Sequence, residues 1–430
     1  MATCTIAKPW RLGAVLLILL SFLTRSASAQ VAPGDTITMQ NAEKVRALVS
    51  PGTFYAVSRG MGMHIVAPSR IDWPPPYQTA TEKYSSQVRL AADHVNLEGY
   101  VAGQPFPILD ANDPDIGQKI MWNQYFKPIA TDDLDLRYFE CQVVKQNPGA
   151  QQEILKQTEA AHAAGYSEIG RTEVEPMPAD PDFQSTGIWA RSALYPVLAP
   201  AEDRGTGGLR FRYWDANRAD DAWVYLASVR RIRRLDESIM STSAGLSTWD
   251  ADHVGGFAAK PQEYKFKYLG DKEMLACAHA RTVPAQPCAT DGGATTCGDD
   301  WEMRHQYVVE VTPRPGRAAN VLQSKTIVYV DGEAWFTPYT DSYDQKGELW
   351  KTQIYLFTYR DRPVPDAKVA VYPFKRQFNI AGSSVDVQTG MVTTCYLPGA
   401  DMPERECWYI NMGAVDRDFF TTEAMRKAGH

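Results

Sequence analysis

Past its first two dozen residues this chain of 430 has no run of 18 uncharged apolar residues, so no later segment is long enough to cross a membrane as a helix. It has no excess of basic charge either. Lys and Arg total 44 against 51 Asp and Glu, a formal charge of −7, and that sign is wrong for a phosphate-binding face. Nucleic acid is therefore excluded as an expected partner. The familiar motifs of enzymes are missing: no Gly-x-Ser-x-Gly elbow, no His-Glu-x-x-His, no Gly-x-x-x-x-Gly-Lys and no strand-borne Gly-x-Gly-x-x-Gly. Glycine-rich Gly60-Met61-Gly62 and Gly205-Thr206-Gly207-Gly208 lack the strand-to-helix setting of a phosphate cradle and read as turns. No pair among the six histidines ahead of His430 has helix-face ligand spacing, and Asp250-Ala251-Asp252-His253 lacks the closing acid of a calcium loop, Pro261 standing in its place. It reads as a surface turn, as Asp132-Asp133-Leu134-Asp135 reads as a solvated loop. No metal and no cofactor are expected.

What is present begins with an address. Lys8 and Arg11 precede the apolar run Leu12 to Leu23, and Ala27-Ser28-Ala29 supplies small residues for cleavage. Residues 1–29 are thus expected to be a signal peptide, cut after Ala29, with a periplasmic mature chain. Its removal takes Lys8, Arg11 and Arg25 and no acid, lowering the formal charge from −7 to −10. Cys4 lies ahead of the run and Cys141 far beyond it, so a lipid anchor is not expected. The six cysteines left, Cys141, Cys277, Cys288, Cys297, Cys395 and Cys407, form an even set in an oxidising compartment, which favours disulfides. Cys288 with Cys297 and Cys395 with Cys407 close the shortest loops, but six cysteines admit 15 pairings and the connectivity stays open.

Along the mature chain, residues 30–186 read as an extended and helical part. Asn41 to Val49 is a short helix candidate stopped by Pro51-Gly52, the stretch from Tyr77 to Asn123 is broken by turns, and alanine-rich Ala150 to Ala164 is the best internal helix. Pro176 to Gln184 reads as a linker. Residues 187–430 read as β-rich with a closing helix over Thr421 to Lys427. Tyr264-Lys265-Phe266-Lys267-Tyr268 alternates aromatic and lysine, Tyr307 to Val311 and Thr326 to Val330 are β-branched runs, and Asp331-Gly332 marks a hairpin into Ala334-Trp335-Phe336. The turn in Tyr343 to Trp350 leads to a strand over Gln353 to Tyr359. The two parts are expected to form one compact α+β unit: a strongly curved antiparallel sheet, a half-barrel, packed on a few helices.

Leu209 to Leu235 carries the candidate site. Leu209, Phe211 and Tyr213 alternate with Arg210 and Arg212, and Trp223 and Tyr225 follow in a second strand that leads into Arg230, Arg231, Arg233 and Arg234. An aromatic sheet rimmed by guanidinium groups suits a ligand with an oily body and an anionic head. Phe211, Tyr213, Trp223, Tyr225, the four arginines of the block, and Tyr264, Phe266 and Tyr268 are the candidate contacts. The plainer reading pairs the arginines with Asp220, Asp221, Asp236 and Glu237 at a solvated strand end, each pair worth about 0–1 kcal/mol.

Several stretches together resemble a family of secreted Gram-negative proteins classed as a domain of unknown function and related to outer-membrane lipoprotein-sorting proteins. They are Gly99 to Pro107, Asp113-Pro114, Trp122-Asn123, Asp221 to Leu226, Arg230 to Arg234, Gly256-Phe257, Lys267 to Gly270 and Tyr343 to Lys351. The resemblance implies a curved sheet whose concave apolar face shelters acyl chains, and a partnership with an envelope transport complex. Sheltering roughly fifteen CH2 groups from water is worth on the order of 12 kcal/mol. The expected function is non-enzymatic binding or carriage of a lipid or other hydrophobic small molecule. The alternatives are a ligand-free structural or assembly module of the envelope and a secreted ester or lipid hydrolase.

Overall fold

A computed structural model describes residue 1 and residues 31–146, 153–235, 247–250, 252–296, 299–318, 321–398 and 408–429. The expected signal peptide, Asp236, Glu237, Cys297 and Cys407 lie outside the described residues. In chain order the elements begin with β1 (Thr36–Ile37), α1 (Pro51–Val57), β2 (Met63–Ile65), α2 (Pro75–Tyr84), β3 (Arg89–Leu90), β4 (Leu97–Glu98) and α3 (Ile116–Tyr125). There follow β5 (Asp133–Lys145), β6 (Glu153–Ser167), α4 (Phe183–Thr186), β7 (Ile188–Ala199), β8 (Gly207–Tyr213), β9 (Asp221–Leu226) and β10 (Arg231–Leu235). The rest are β11 (Tyr264–Ala276), β12 (Asp300–Pro313), α5 (Pro315–Ala318), β13 (Lys325–Asp331), β14 (Tyr339–Tyr343), β15 (Leu349–Arg360), β16 (Arg376–Asp386), β17 (Met391–Tyr396), β18 (Trp408–Ile410) and α6 (Thr422–Ala428).

Sixteen strands form a single sheet in the order β1-β2-β12-β13-β14-β15-β16-β17-β5-β6-β7-β8-β9-β10, with β11 beside β12 and β18 beside β5. All its pairings are antiparallel except β2 with β12, so the sheet is mixed. Short turns join most neighbours, as a meander requires. Distant parts of the chain meet where β2 lies beside β12, β18 beside β5 and β17 beside β5, and at the last of these Cys395 sits directly opposite Cys141. That register makes the disulfide Cys141–Cys395, settling for these two cysteines a connectivity the sequence left open and setting aside the shorter loop Cys395–Cys407, because opposed residues on adjacent strands are closer than any loop-length argument can reveal. Cys277 is a buried free thiol, and Cys288 is disulfide-bonded.

Three sequence readings fail for identifiable reasons. Ala160, Ala161, Ala163 and Ala164 belong to β6, a strand hydrogen-bonded on one side to β5 and on the other to β7. Helix propensity is a weak local preference, and two full ladders of backbone hydrogen bonds override it. Pro51-Gly52 starts α1 rather than stopping a helix: Ser50 caps it by accepting from the Thr53 amide, Pro51 sits at the first position, and a three-residue-per-turn helix over Met39–Val45 precedes it. Pro75 opens α2 in the same way. The Asp331 hairpin exists, but its return strand is β14, Tyr339 facing Tyr329, because Trp335 takes a left-handed φ of 62° and extends the turn.

Both acidic motifs are buried rather than solvated. Asp132 accepts hydrogen bonds from the amides of Thr172, Glu173 and Val174 at 2.8, 2.7 and 2.6 Å, which pins the loop after β6 to the start of β5. The largest core joins the N-terminal segment to the middle of the sheet through Val45, Val57, Leu275, Ile354 and Phe378. Helix α1 packs on β14 and β15, α3 on β11, and α6 on β7, β8 and β9. No described helix is long and apolar enough to cross a membrane.

Candidate functional site

Strand β8 has two faces with different fates. Pairing sets Leu209 opposite Trp223, Gly207 opposite Tyr225 and Phe211 opposite Asp221, so these side chains share one face. The C-terminal segment covers it. Tyr225 and Leu209 are buried with Tyr195, Phe420 and Met425, and Phe211 and Trp223 pack edge to face at 5.0 Å. Phe419 stacks on Tyr195 at 4.8 Å and its carbonyl accepts the Tyr195 hydroxyl. The contact is close enough that a Cβ on Gly429 would fall 2.4 Å from the Tyr225 ring. Tyr213 is buried too, donating to Asp221 at 2.6 Å.

The other face carries Arg210 and Arg212, and it looks onto a cavity of ≈ 250 Å³. The C-terminal end of α3 and the residues after it supply Tyr125, Phe126, Lys127 and Thr131. Strand β7 supplies Trp189, Ala190 and Ser192, β6 supplies Ser167, and the segment 254–258 closes the remaining side with Val254 and Phe257. Behind this wall lies a block of aromatic rings: Trp189 stacks on Tyr125 at 4.8 Å and meets Trp214 and Trp122 edge-on at 4.9 and 5.8 Å. The Trp122 indole donates to the Val95 carbonyl, whereas the Trp189 indole N–H has no partner among the described residues.

The two arginines differ although they are two residues apart. Arg212 is 5% exposed and fully engaged, donating to Asp220 at 3.0 Å, to the Tyr125 hydroxyl at 3.2 Å and to the Ala258 carbonyl at 2.7 Å. Burial opposes its charge, but Tyr125 and Asp220 outweigh that and raise its pKa. Arg210 makes no ion pair or side-chain hydrogen bond among the described residues. Burial, reinforced by the like charge of Arg212, outweighs the pull of Asp220 and Asp252 and lowers its pKa to about 10. Burial likewise brings Lys127 down to about 8, and its ammonium meets only the Gln124 carbonyl, at 3.3 Å. Arg191 also lines the cavity and is paired with Glu168 at 2.6 Å, so among the described residues Arg210 and Lys127 are the lining cations without a hydrogen-bonded carboxylate, beside aromatic walls and hydroxyl groups.

The remaining sequence candidates lie elsewhere. Tyr264, Phe266 and Tyr268 pack against Ile116, Ile120 and Met121 of α3, which approaches so closely that a Cβ on Gly117 would fall 2.6 Å from the Phe266 carbonyl oxygen. They touch the cavity only through Phe257, 5.1 Å from Tyr264 and 6.0 Å from Phe266. Arg230 takes a left-handed φ of 52° in the turn before β10, the last strand of the sheet, where Arg231, Arg233 and Arg234 are exposed and Arg234 pairs with Asp221. None of the four lines the cavity. Signals for Arg210 and Arg212 were present in the arginine–apolar alternation of their strand. Lys127 and Trp189 carried none.

Asp250 and His253 form the arrangement nearest to a hydrolytic relay. His253 Nδ1 lies 2.7 Å from Asp250 and Nε2 3.3 Å from the Thr326 hydroxyl, while Tyr264 donates to Asp252 at 3.1 Å. Burial works against the imidazolium, but Asp250 prevails and raises the His253 pKa. All these residues are buried, and the adjoining void of ≈ 10 Å³ has room for no more than a water-sized group. The motif expected as a surface turn is thus a hydrogen-bonded part of the core. Among the described residues no group of three or more His, Cys, Asp or Glu could hold a metal ion.

The chain is similar to several known proteins. An uncharacterized protein of Pseudomonas aeruginosa is 22% identical over 415 residues, covering 92% of this chain and 82% of its own. Among solved structures, a putative outer membrane lipoprotein-sorting protein domain from Vibrio parahaemolyticus is similar with a TM-score of 0.47 and 16% identity, over 72% of this chain and 98% of that one. A DUF1329 family protein from Desulfovibrio piger gives 0.43 at 15% identity, over 69% and 92% of the respective chains. A family model described as "Protein of unknown function (DUF1329)" matches residues 36–426, and the chain belongs to that family.

Proposed function

We propose that this is an exported, non-enzymatic binding protein that shelters a hydrophobic ligand in the cavity between β7, β8 and the end of α3. The observation that carries the reading is the cavity itself, ≈ 250 Å³ walled by Tyr125, Phe126, Trp189 and Phe257. Aromatic walls with a few polar groups are the usual make-up of small-molecule sites, and this volume lies just under their usual range of about 300–1,000 Å³. It suits a compact ligand or one end of a longer one. In this reading residues 1–29 direct export to the periplasm, the long sheet curves around the helices that back the cavity, and the protein serves an envelope transport system for lipids or lipoproteins.

The neutral hydrophobic fluorophore N-phenylnaphthylamine tests it. Fluorescence is expected to rise on mixing with the protein and to be lost in Ala190→Trp, which fills the cavity from β7. Mass spectrometry of a solvent extract of protein purified from its native compartment should show a bound small molecule. An empty extract together with no response from the fluorophore would refute the reading. The covered aromatic face of β8 and β9 would then favour an assembly module without a ligand.

A further inference from the structure

We infer that the ligand of this cavity is an organic anion, whose carboxylate or phosphate is held between Arg210 and Lys127 while its apolar body lies against Trp189, Tyr125 and Phe257. The inference rests on the cavity being a ligand site and adds the charge and orientation of what enters it.

The argument is one of charge accounting. A buried cation is tolerated when a carboxylate or several hydrogen-bond acceptors replace the water it has lost. Arg212 meets that condition through Asp220, Tyr125 and the Ala258 carbonyl. Among the described residues Arg210, on the same face, has no such hydrogen-bonded partner, and Lys127 has one long contact to a carbonyl. Both line the same cavity, and burial weakens the charge of both. Each is a desolvated cation without a hydrogen-bonded carboxylate among the described residues, and an anion bound in the cavity they both line replaces the water each has lost. Guanidinium offers a carboxylate or phosphate a planar fork, and the ammonium supplies a second, mobile point of charge.

Further donors are at hand. The Trp189 indole N–H has no partner, and the Thr131, Ser167 and Ser192 hydroxyls line the same space. The Tyr125, Phe126, Trp189 and Phe257 rings bear no charge and suit the flat or aliphatic body next to the anionic head. A free aromatic acid and the head end of a lipid share this chemistry. The volume accommodates either one, the chain of a lipid leaving past Val254, which is 57% exposed at the edge of the cavity.

Titrations of the full-length mature protein with naphthoate and with its uncharged counterpart naphthylmethanol, read by tryptophan fluorescence and calorimetry, test the inference. The carboxylate is expected to bind at least 10-fold more tightly at pH 7, corresponding to about 1.4 kcal/mol. Arg210→Met should bring the two ligands to parity while leaving N-phenylnaphthylamine binding in place, and Lys127→Gln should narrow the gap. Arg210→Lys, which keeps the charge and the fold but loses the fork, should retain part of the preference. Laurate separates the two sources: binding that depends on Arg210 means a lipid head is admitted, and no binding beside tight naphthoate binding means a free compact acid, either result upholding the anion site. Equal affinity for naphthoate and the alcohol, or naphthoate binding indifferent to Arg210→Met, overturns it. If N-phenylnaphthylamine binds and neither naphthyl ligand does, the anion site fails and the hydrophobic cavity stands; if the fluorophore fails as well, both fall.

Discussion

The two faces of β8 differ in what their side chains have been left to do. On one face Leu209 and Phe211 meet Tyr225 and Trp223, and α6 with the segment before it buries Leu209 and Tyr225 and leaves Phe211 and Trp223 half-buried. On the other, Arg212 is fully engaged and Arg210, two residues away, faces a cavity without a partner. A filled aromatic surface contributes stability by burial and leaves no room for a ligand. A cavity with unpaired charge does the opposite, giving up stability for binding capacity. Aromatic residues in a strand thus mark a ligand face no more reliably than they mark a core, whereas a half-buried cation with no ion pair among the described residues is hard to explain by packing alone.

Stability measurements by urea denaturation can break this contrast. The largest effects belong to the filled face and to the engaged arginine. Phe420→Ala should cost about 3–5 kcal/mol, because Phe420 is fully buried under the sheet, and it should leave N-phenylnaphthylamine binding intact at temperatures where the variant is folded. Arg212→Met should cost about 3–5 kcal/mol by leaving the largely buried Asp220 without its cation. A stable Arg212→Met variant would erase the distinction between the two arginines.

Changes at the unpaired cations should have the opposite sign. Arg210→Met and Lys127→Met are each expected to stabilise the ligand-free protein by about 1–2 kcal/mol at pH 7, since each removes a desolvated charge without orphaning a partner. The pH dependence follows from linkage. Lys127 is lowered to about 8 in the folded protein, below its ordinary value near 10.5, so the unfolded chain binds more protons between these limits and wild-type stability rises with pH there. The advantage of Lys127→Met should therefore be full below pH 8 and fade towards pH 10.5. An advantage that grows with pH would mean that Lys127 is paired in solution.

The smallest effect is expected at the arginine block. Arg231→Ser with Arg233→Ser should change stability by no more than about 0.5 kcal/mol and leave naphthoate binding unaltered, because both side chains are exposed at the terminal strand, away from the cavity. Loss of naphthoate binding in this double variant would move the anion site from Arg210 to the sheet edge.

Much of the β-rich half was legible because its signals are local. Alternation in Leu209 to Tyr213 and Tyr264 to Tyr268 and the turns at Asp331-Gly332 and Tyr343 to Trp350 mark strands and their reversals regardless of what packs beside them. Ala160 to Ala164 could not be read in this way, since their strand exists only through the ladders on both sides. The site was half legible. Its strand was recognised and its face mistaken for the aromatic one, because alternation separates two faces without saying which of them a helix far along the chain, Thr422–Ala428, will cover.

Composition and periodicity by themselves thus determined a β-rich second half, short hairpin turns, a net acidic charge and a strand of alternating arginines and apolar residues, all properties carried by neighbours in sequence. Only the tertiary structure decided that Cys141 bonds Cys395, that α6 closes the aromatic face and that Arg210 and Lys127 line one cavity. Each of these depends on residues brought together from distant parts of the chain. Whether a buried charge has a partner is a property of that three-dimensional neighbourhood, and no spacing along the sequence encodes it.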